Sequence, residues 1–332
     1  MTLSLFRRLV TAAKLSLLSS SALALQAGLS QMELPGAPST TVALYYPTKD
    51  LARPMTMGPY TLNVAIRGEP ERQVKGLILL SHGTGGSELG HSSLAEALAR
   101  SGYLVAALRH PGDNWQDTSL LTNDPSRYFV ERPRQASRVI DALLSDPAWK
   151  DRIARDAQGP RVGAVGHSAG GYTVLALAGA RADLARIGAH CQANAAADPI
   201  FCGMGRARLA SAGLGLDVAD RRVRALVAMS PVGVTLTADS LATFKLPVRI
   251  YVAELDRFLV PKFHTDWIAS KLPGADIRRV PNAGHFAFMD KPKWPLPTAD
   301  GDVGADPEGF DRAAFLWQLA EQLPAFFDQA WR

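Results

Sequence analysis

Three residues far apart in the chain have the types and settings that nucleophilic acyl transfer needs: Ser168, Asp256 and His285. A serine hydroxyl is a poor nucleophile at neutral pH, so it requires a base to take its proton and a third group to orient that base. Ser168 stands in Gly166-His167-Ser168-Ala169-Gly170-Gly171. In a G-x-S-x-G turn the glycines remove side chains that would collide with neighbouring backbone. The hydroxyl is lifted above the sheet, and the first amides of the next helix converge on the same point, which suits developing negative charge. The same pattern also serves as a plain strand-to-helix turn, so its setting decides. Here an apolar run at 162–165 precedes it and helical spacing resumes over 172–178, which gives the strand, turn and helix that the chemistry requires.

Of the seven histidines, His285 is the best placed as base, in Asn282-Ala283-Gly284-His285-Phe286 after a short strand at 277–280. His82 and His167 belong to motif loops, where a histidine commonly supports the turn; His110, His190 and His264 lack a comparable setting. The orienting acid is expected at Asp256, just past the strand at 248–253, on the edge where open α/β sheets gather their ligands. Glu254 is the close competitor and Asp290 a distant one; either could instead pair with Arg257 or Lys291. Amide donors for an oxyanion are expected from Ala169 and from Thr84 in His82-Gly83-Thr84-Gly85. A glycine-rich loop can also cradle phosphate, but no Lys-Ser/Thr follows this one and its glycines do not fit dinucleotide spacing. No organic cofactor and no metal is therefore expected.

The elements that must position these residues read as one large α/β domain. At 332 residues, with 47% apolar and 20% charged residues, the chain can bury a large core. Strands are expected at 41–46 as a sheet edge, at 60–66 with antiparallel alternation, and as buried runs at 76–81, 103–108, 225–229 and 248–253. Helices are expected at 94–101, from Pro133 onward, after the elbow, and over 310–327 with a bend or break at Pro324. Strands alternating with helices predict a mostly parallel central sheet with helices on both faces. The segment 181–224 breaks that alternation and is placed to cover the serine as a lid-like insert, unless it is a surface excursion. It holds Cys191 and Cys202, the only cysteines. In an exported protein these would close a disulfide contributing about 2–3 kcal/mol, whereas with an uncleaved leader they would be two buried free thiols; His190 beside Cys191 lacks zinc-site pairing. Asp300, Asp302 and Asp306 lack EF-hand spacing and read as a solvated turn.

Arg7, Arg8 and Lys14 followed by an uncharged run over 15–27 predict a secretory leader, 1–27, with cleavage after Ala24 or Ala27; the alternative is a short uncleaved anchor. The mature domain is then 28–332, periplasmic or extracellular. Removing three positive charges from a net +5 leaves +2, with no basic block beyond Arg221, Arg222 and Arg224. A nucleic-acid partner is not supported.

The motifs SHGTGG, VAALRHPGDN, ERPRQASRVIDALL, GHSAGG, AELDRFLVP and AGHFAF, in this order, resemble the α/β-hydrolase group that includes bacterial dienelactone hydrolase-like proteins and platelet-activating-factor acetylhydrolase-like esterases. The likeness covers about residues 40–290 and is weakest over the insert and the C-terminal helix. It implies an α/β-hydrolase fold and a serine esterase for small-molecule carboxylic esters. Ser168, Asp256 and His285 would be its triad, with Thr84 and Ala169 as amide donors. One departure matters: dienelactone hydrolases use a cysteine nucleophile where this chain has Ser168, which favours ordinary esters. The resemblance also draws attention to Asp113 and Arg132, expected to pair beneath the site. Phe286, Phe288 and Trp115 are expected to line an acyl pocket. A monomer without stable membrane insertion is expected. An amide or peptide hydrolase with the same triad, or a non-catalytic binding module on the same scaffold, are the alternatives.

Overall fold

The apolar runs line up side by side in one sheet of ten strands. The computed structural model describes residues 24–36, 38–123, 125–204 and 217–332; most of the expected leader, residues 1–23, and the middle of the expected insert, residues 205–216, lie outside the described residues. The sheet strands are β1 (Gln26–Leu34), β2 (Thr40–Thr48), β3 (Arg53–Met57), β4 (Tyr60–Ile66), β5 (Leu77–Ser81), β6 (Leu104–Leu108), β9 (Val162–His167), β10 (Val223–Met229), β11 (Val248–Ala253) and β12 (Asp276–Val280), with the two-residue hairpins β7 (Arg155–Asp156) with β8 (Gly159–Pro160) and β13 (Pro297–Thr298) with β14 (Gly301–Asp302) outside it. Their order is β12-β11-β10-β9-β5-β6-β2-β1-β4-β3. From β12 through β6 every pairing is parallel.

Every residue of β5, β6, β9 and β11 is buried, as strands covered on both faces must be. Successive side chains divide between the two layers. Leu77, Leu79, Val162 and Ala164 face a core shared with α3 (Pro125–Ser145) and α4 (Ala169–Leu177). Ile78, Leu80 and Val165 face a core shared with α1 (Ser92–Arg100) and α9 (Arg312–Ala330). The period-two alternation of a strand builds both layers from one run.

The structure departs from the sequence expectations in three places, at the strand over 41–46, at Pro133 and at Pro324. The strand containing 41–46 is interior, antiparallel to both β6 and β1, because β1 pairs along its whole length. That strand's polar residues gave no clear pattern. Helix α3 begins at Pro125, after α2 (Ser119–Asn123), so Pro133 sits inside the helix and does not open it. A proline cannot bond the carbonyl four residues back; the Phe129 carbonyl accepts from the Tyr172 hydroxyl instead, at 2.8 Å. Helix α9 runs through Pro324 without a break, from an Asp311 cap that accepts the Ala314 N–H at 3.0 Å. The described part of the insert forms α5 (Ala185–Asn194) and α6 (Pro199–Gly203), joined by a Cys191–Cys202 disulfide. Ile187, Cys191 and Phe201 are buried in the α3/α4 core, which docks both helices on the domain.

The acidic turn near the C-terminus forms β13 and β14. Its carboxylates are engaged locally: Asp302 accepts the Leu296 and Gly304 N–H groups, Asp306 pairs with Arg312, and Asp300 pairs with Arg257.

Candidate active site

The elbow is held by backbone contacts that admit no larger residue. A Cβ on Gly166 would lie 2.1 Å from the Gly170 carbonyl oxygen, and one on Gly170 would lie 1.9 Å from that of Ser81. Between them Ser168 takes φ 57° and ψ −118°, a left-handed conformation that costs a non-glycine residue roughly 1–3 kcal/mol and persists only when its surroundings enforce it. They do: the Ser168 N–H donates to Met229 O at 2.9 Å, and its carbonyl accepts from Tyr172 and Val232, each at 3.2 Å. Ser168 remains 7% exposed.

The loop after β5 passes directly over the serine, since a Cβ on Gly83 would approach Ser168 Cβ to 3.2 Å. Among the described residues neither the Thr84 nor the Ala169 N–H donates to a protein acceptor. The expected Asp113–Arg132 pair is present and fully buried. Asp113 Oδ1 accepts the Gly85 N–H at 2.9 Å, while Arg132 bonds Asp113 Oδ2, the His82 carbonyl, Ser81 Oγ and Thr173 Oγ1. One ion pair therefore joins the loop after β5, the loop after β6, α3 and α4.

Around that pair lies a histidine network that sequence reasoning missed. His110 Nδ1 bonds Gln135 Oε1 at 2.8 Å and Nε2 meets Ser81 Oγ at 2.8 Å. His82 Nε2 accepts the His110 N–H at 3.1 Å, which puts the His82 proton on Nδ1, facing the Gly83 carbonyl. Burial, reinforced by the Arg132 charge, lowers His82 to about 4. Both histidines stand in motif loops, but their partners, 25–29 residues away, could not be read from the local sequence.

At the carboxyl end of β11, the Leu255 N–H donates to Ala283 O at 2.8 Å and so ties the acid loop to the histidine loop. Asp256 Oδ1 accepts the Phe258 and Leu259 N–H groups at 2.9 and 2.7 Å, and Oδ2 accepts from His285 Nδ1 at 2.8 Å. Both side chains are buried, Asp256 at 4% and His285 at 3% exposure. Phe258 stacks on the imidazole, with ring centroids 4.9 Å apart. The competitors are engaged elsewhere. Glu254 lies 3.9 Å from Arg279. Asp290 accepts the Ser93 N–H at the start of α1, and burial raises it to about 6.

Ser168 and the imidazole are linked through His167. Its Nε2–H donates to the His285 carbonyl at 2.9 Å, and the two rings lie 4.8 Å apart. Burial, then the neighbouring His285, holds His167 well below the usual histidine range, so it is neutral. Among the described residues no hydrogen bond joins Ser168 Oγ to His285. Such contacts commonly tighten only with substrate bound.

A cavity of about 630 Å³ opens on the acid side of the imidazole, lined by Asp256, His285, Phe286, Asp300, Asp306 and Arg312 but not by Ser168. Phe288, expected at the acyl pocket, is instead fully buried at 0% exposure and packs on Tyr251 and Phe315 in the core. Trp115, at 63% exposure, donates its backbone N–H to Gly86 O at 3.2 Å and so stands beside the loop over the serine. The insert also joins the acid loop in a buried cluster that spacing did not reveal, in which Asp198 Oδ2 meets Nε2 of both His190 and His264 at 2.9 and 3.0 Å.

A parallel sheet carrying a strained strand-to-helix elbow, with a carboxylate-bound imidazole at its carboxyl edge, is the architecture of an α/β hydrolase. The chain belongs to the alpha/beta hydrolase family, whose model matches residues 77–294. It is 32% identical over 114 residues to the cutinases est1 and est2 of Thermobifida alba, a match spanning 34% of this chain and about a third of each cutinase. Over nearly its whole length it shares its fold with a ferulic acid esterase from Streptomyces cinnamoneus, with TM-score 0.62 and 20% identity, covering 94% of this chain and 91% of that one. A dienelactone hydrolase from Anabaena variabilis has TM-score 0.51 and 14% identity, covering 92% and 99%.

Proposed function

We propose that the protein is an exported serine esterase that cleaves carboxylic esters through an acyl-enzyme. The observation that carries this reading is the Asp256–His285 hydrogen bond at the same sheet edge as the elbow serine. Asp256 accepts a hydrogen bond from the Nδ1–H of His285, which fixes the tautomer and leaves Nε2 to act on Ser168. Ser168 Oγ attacks the ester carbonyl while its proton passes to His285 Nε2, and the resulting oxyanion is received by the Thr84 and Ala169 N–H groups. Collapse expels the alcohol, protonated by His285; a water activated by the same imidazole then releases the acid. No cofactor enters these steps. The cutinases and the ferulic acid esterase support an ester over an amide substrate.

The Cys191–Cys202 disulfide and the leader support export. Because β1 starts at Gln26 and Ala27 is buried, cleavage after Ala24 leaves that strand whole. The mature chain then forms a single hydrolase domain.

Purified protein should turn over nitrophenyl esters in preference to peptide anilides, and a fluorophosphonate should label Ser168. Ser168→Ala should lose both properties while unfolding at the wild-type temperature. Turnover by that variant would remove the serine from the mechanism; anilide cleavage without ester cleavage would reassign the substrate.

A further inference from the structure

His264 is fully buried and belongs to none of the groups that would touch substrate. It ends the loop that begins with the acid: Asp256 captures the Phe258 and Leu259 N–H groups, and the chain then turns through the Phe263 N–H to Val260 O and the His264 N–H to Pro261 O bonds before α8 (Thr265–Lys271). Its ring joins two other segments. Nδ1 accepts the Gly233 N–H at 3.2 Å, which fixes the proton on Nε2, and that proton is donated to Asp198 Oδ2 at 3.0 Å. A metal at Nε2 would need the lone pair that this tautomer lacks, so the cluster acts by hydrogen bonding.

Both partners connect to other parts of the site. Gly233 lies in the loop after β10, where the neighbouring Val232 N–H donates to the Ser168 carbonyl at 3.2 Å. That loop fits against His264 only as glycine, since a Cβ there would lie 2.4 Å from the His264 carbonyl oxygen. Asp198 immediately precedes the insert's second helix, and its Oδ2 accepts from His190 Nε2 as well. His190 and Asp198 are adjacent to the two ends of the Cys191–Cys202 bridge, one residue and four residues away. The disulfide therefore holds together the two helices that present the carboxylate to His264.

We propose that His264, clamped between the Gly233 amide and the Asp198 carboxylate, is a positioning residue that sets Ser168 relative to Asp256, and that the disulfide-closed insert acts on catalysis through it. The insert is then part of the frame of the active site. This inference rests on the esterase reading.

The test measures kcat and KM on a nitrophenyl ester with the full-length protein, counting sites by end-point fluorophosphonate titration so that misfolded molecules do not contribute. His264→Ala and Asp198→Ala should lower kcat per site by about 10- to 100-fold, the range expected for misplacement on the order of 1 Å, with KM changed by less than about threefold. His264→Gln keeps one acceptor and one donor and should recover much of the loss, as should Asp198→Asn. Cys191→Ser/Cys202→Ser should lower kcat in the same direction. If kcat per site in the two alanine variants stays within about twofold of wild type, or only KM moves, the role is purely structural and the proposal is overturned. Should His264→Ala fail to fold, unchanged kcat per site in both Asp198→Ala and the double serine variant has the same meaning. A wild-type protein that neither hydrolyses esters nor reacts with fluorophosphonate would instead overturn the esterase reading.

Discussion

Replacing Asp113 by Asn removes one charge from the fully buried pair beneath the loop that carries Thr84. The amide keeps an oxygen for the Gly85 N–H, now held by Asp113 Oδ1 at 2.9 Å, but it turns an NH2 group toward Arg132, so the charge and the acceptor for the guanidinium are lost together. Arg132 would then be a buried cation without its counter-ion, although the His82 carbonyl, Ser81 Oγ and Thr173 Oγ1 still accept from it. Breaking a buried pair on one side typically costs about 3–5 kcal/mol. At roughly 2 °C per kcal/mol for a domain this large, the thermal midpoint should fall by about 5–10 °C. The loop that carries Thr84 loses part of its anchorage. An amide donor of this kind contributes about 3–4 kcal/mol in the transition state, so partial misplacement should lower kcat by about tenfold. Removing both charges with Asp113→Leu/Arg132→Met should restore much of the stability, as apolar replacements of buried pairs do, while kcat stays low because the loop is no longer held. Calorimetry and ester turnover measured on the same samples separate the two effects. A midpoint within about 2 °C of wild type for Asp113→Asn would refute the reasoning, and so would full activity in the double variant.

Asp256→Asn should lower kcat by on the order of 10⁴ by permitting the wrong imidazole tautomer, whereas Glu254→Gln, whose carboxylate faces Arg279 at 3.9 Å, should stay near wild type; the reverse pattern in steady-state kinetics would move the acid to Glu254. His91 is buried with no partner for Nε2, and burial holds it at about 4 in the folded protein against a usual 6.5. The unfolded chain therefore binds a proton between those values that the folded chain refuses. Stability falls as pH drops through that window, by on the order of 3 kcal/mol for this group, and is unaffected above it. Urea titrations at pH 7 and pH 4.5 should show a smaller loss for His91→Leu than for wild type, and equal losses would contradict the assignment. Gly170→Ala drives a Cβ to 1.9 Å from a backbone oxygen and should cost about 3 kcal/mol or more, while Gly203→Ala enters open space and should change the unfolding midpoint by little. Similar midpoints would show that the elbow relaxes.

Where a constraint was local, the sequence carried it. The glycines around Ser168 are required by contacts within the elbow and with the adjoining strand end, and the buried strands announce themselves as unbroken apolar runs because both faces are covered. The two cysteines could pair because only eleven positions separate them and their helices dock together. The sequence narrowed the acid to Glu254 or Asp256, chemically equivalent groups on one loop. It did not show that Tyr172 would release α3 from the cost of Pro133, that β2 would be enclosed by β1, or that Phe288 would point into the core.

Those outcomes were decided by tertiary structure, for one physical reason: each depends on which groups meet across large separations in the chain. The Leu255 amide reaching Ala283 is what turns Asp256 toward His285 and leaves Glu254 to an arginine. The buried histidines at 82, 110 and 264 likewise acquire their tautomers only from distant partners. Residue type and spacing determined what chemistry this chain could perform; hydrogen bonds closed between remote loops determined which of its similar side chains were placed to perform it.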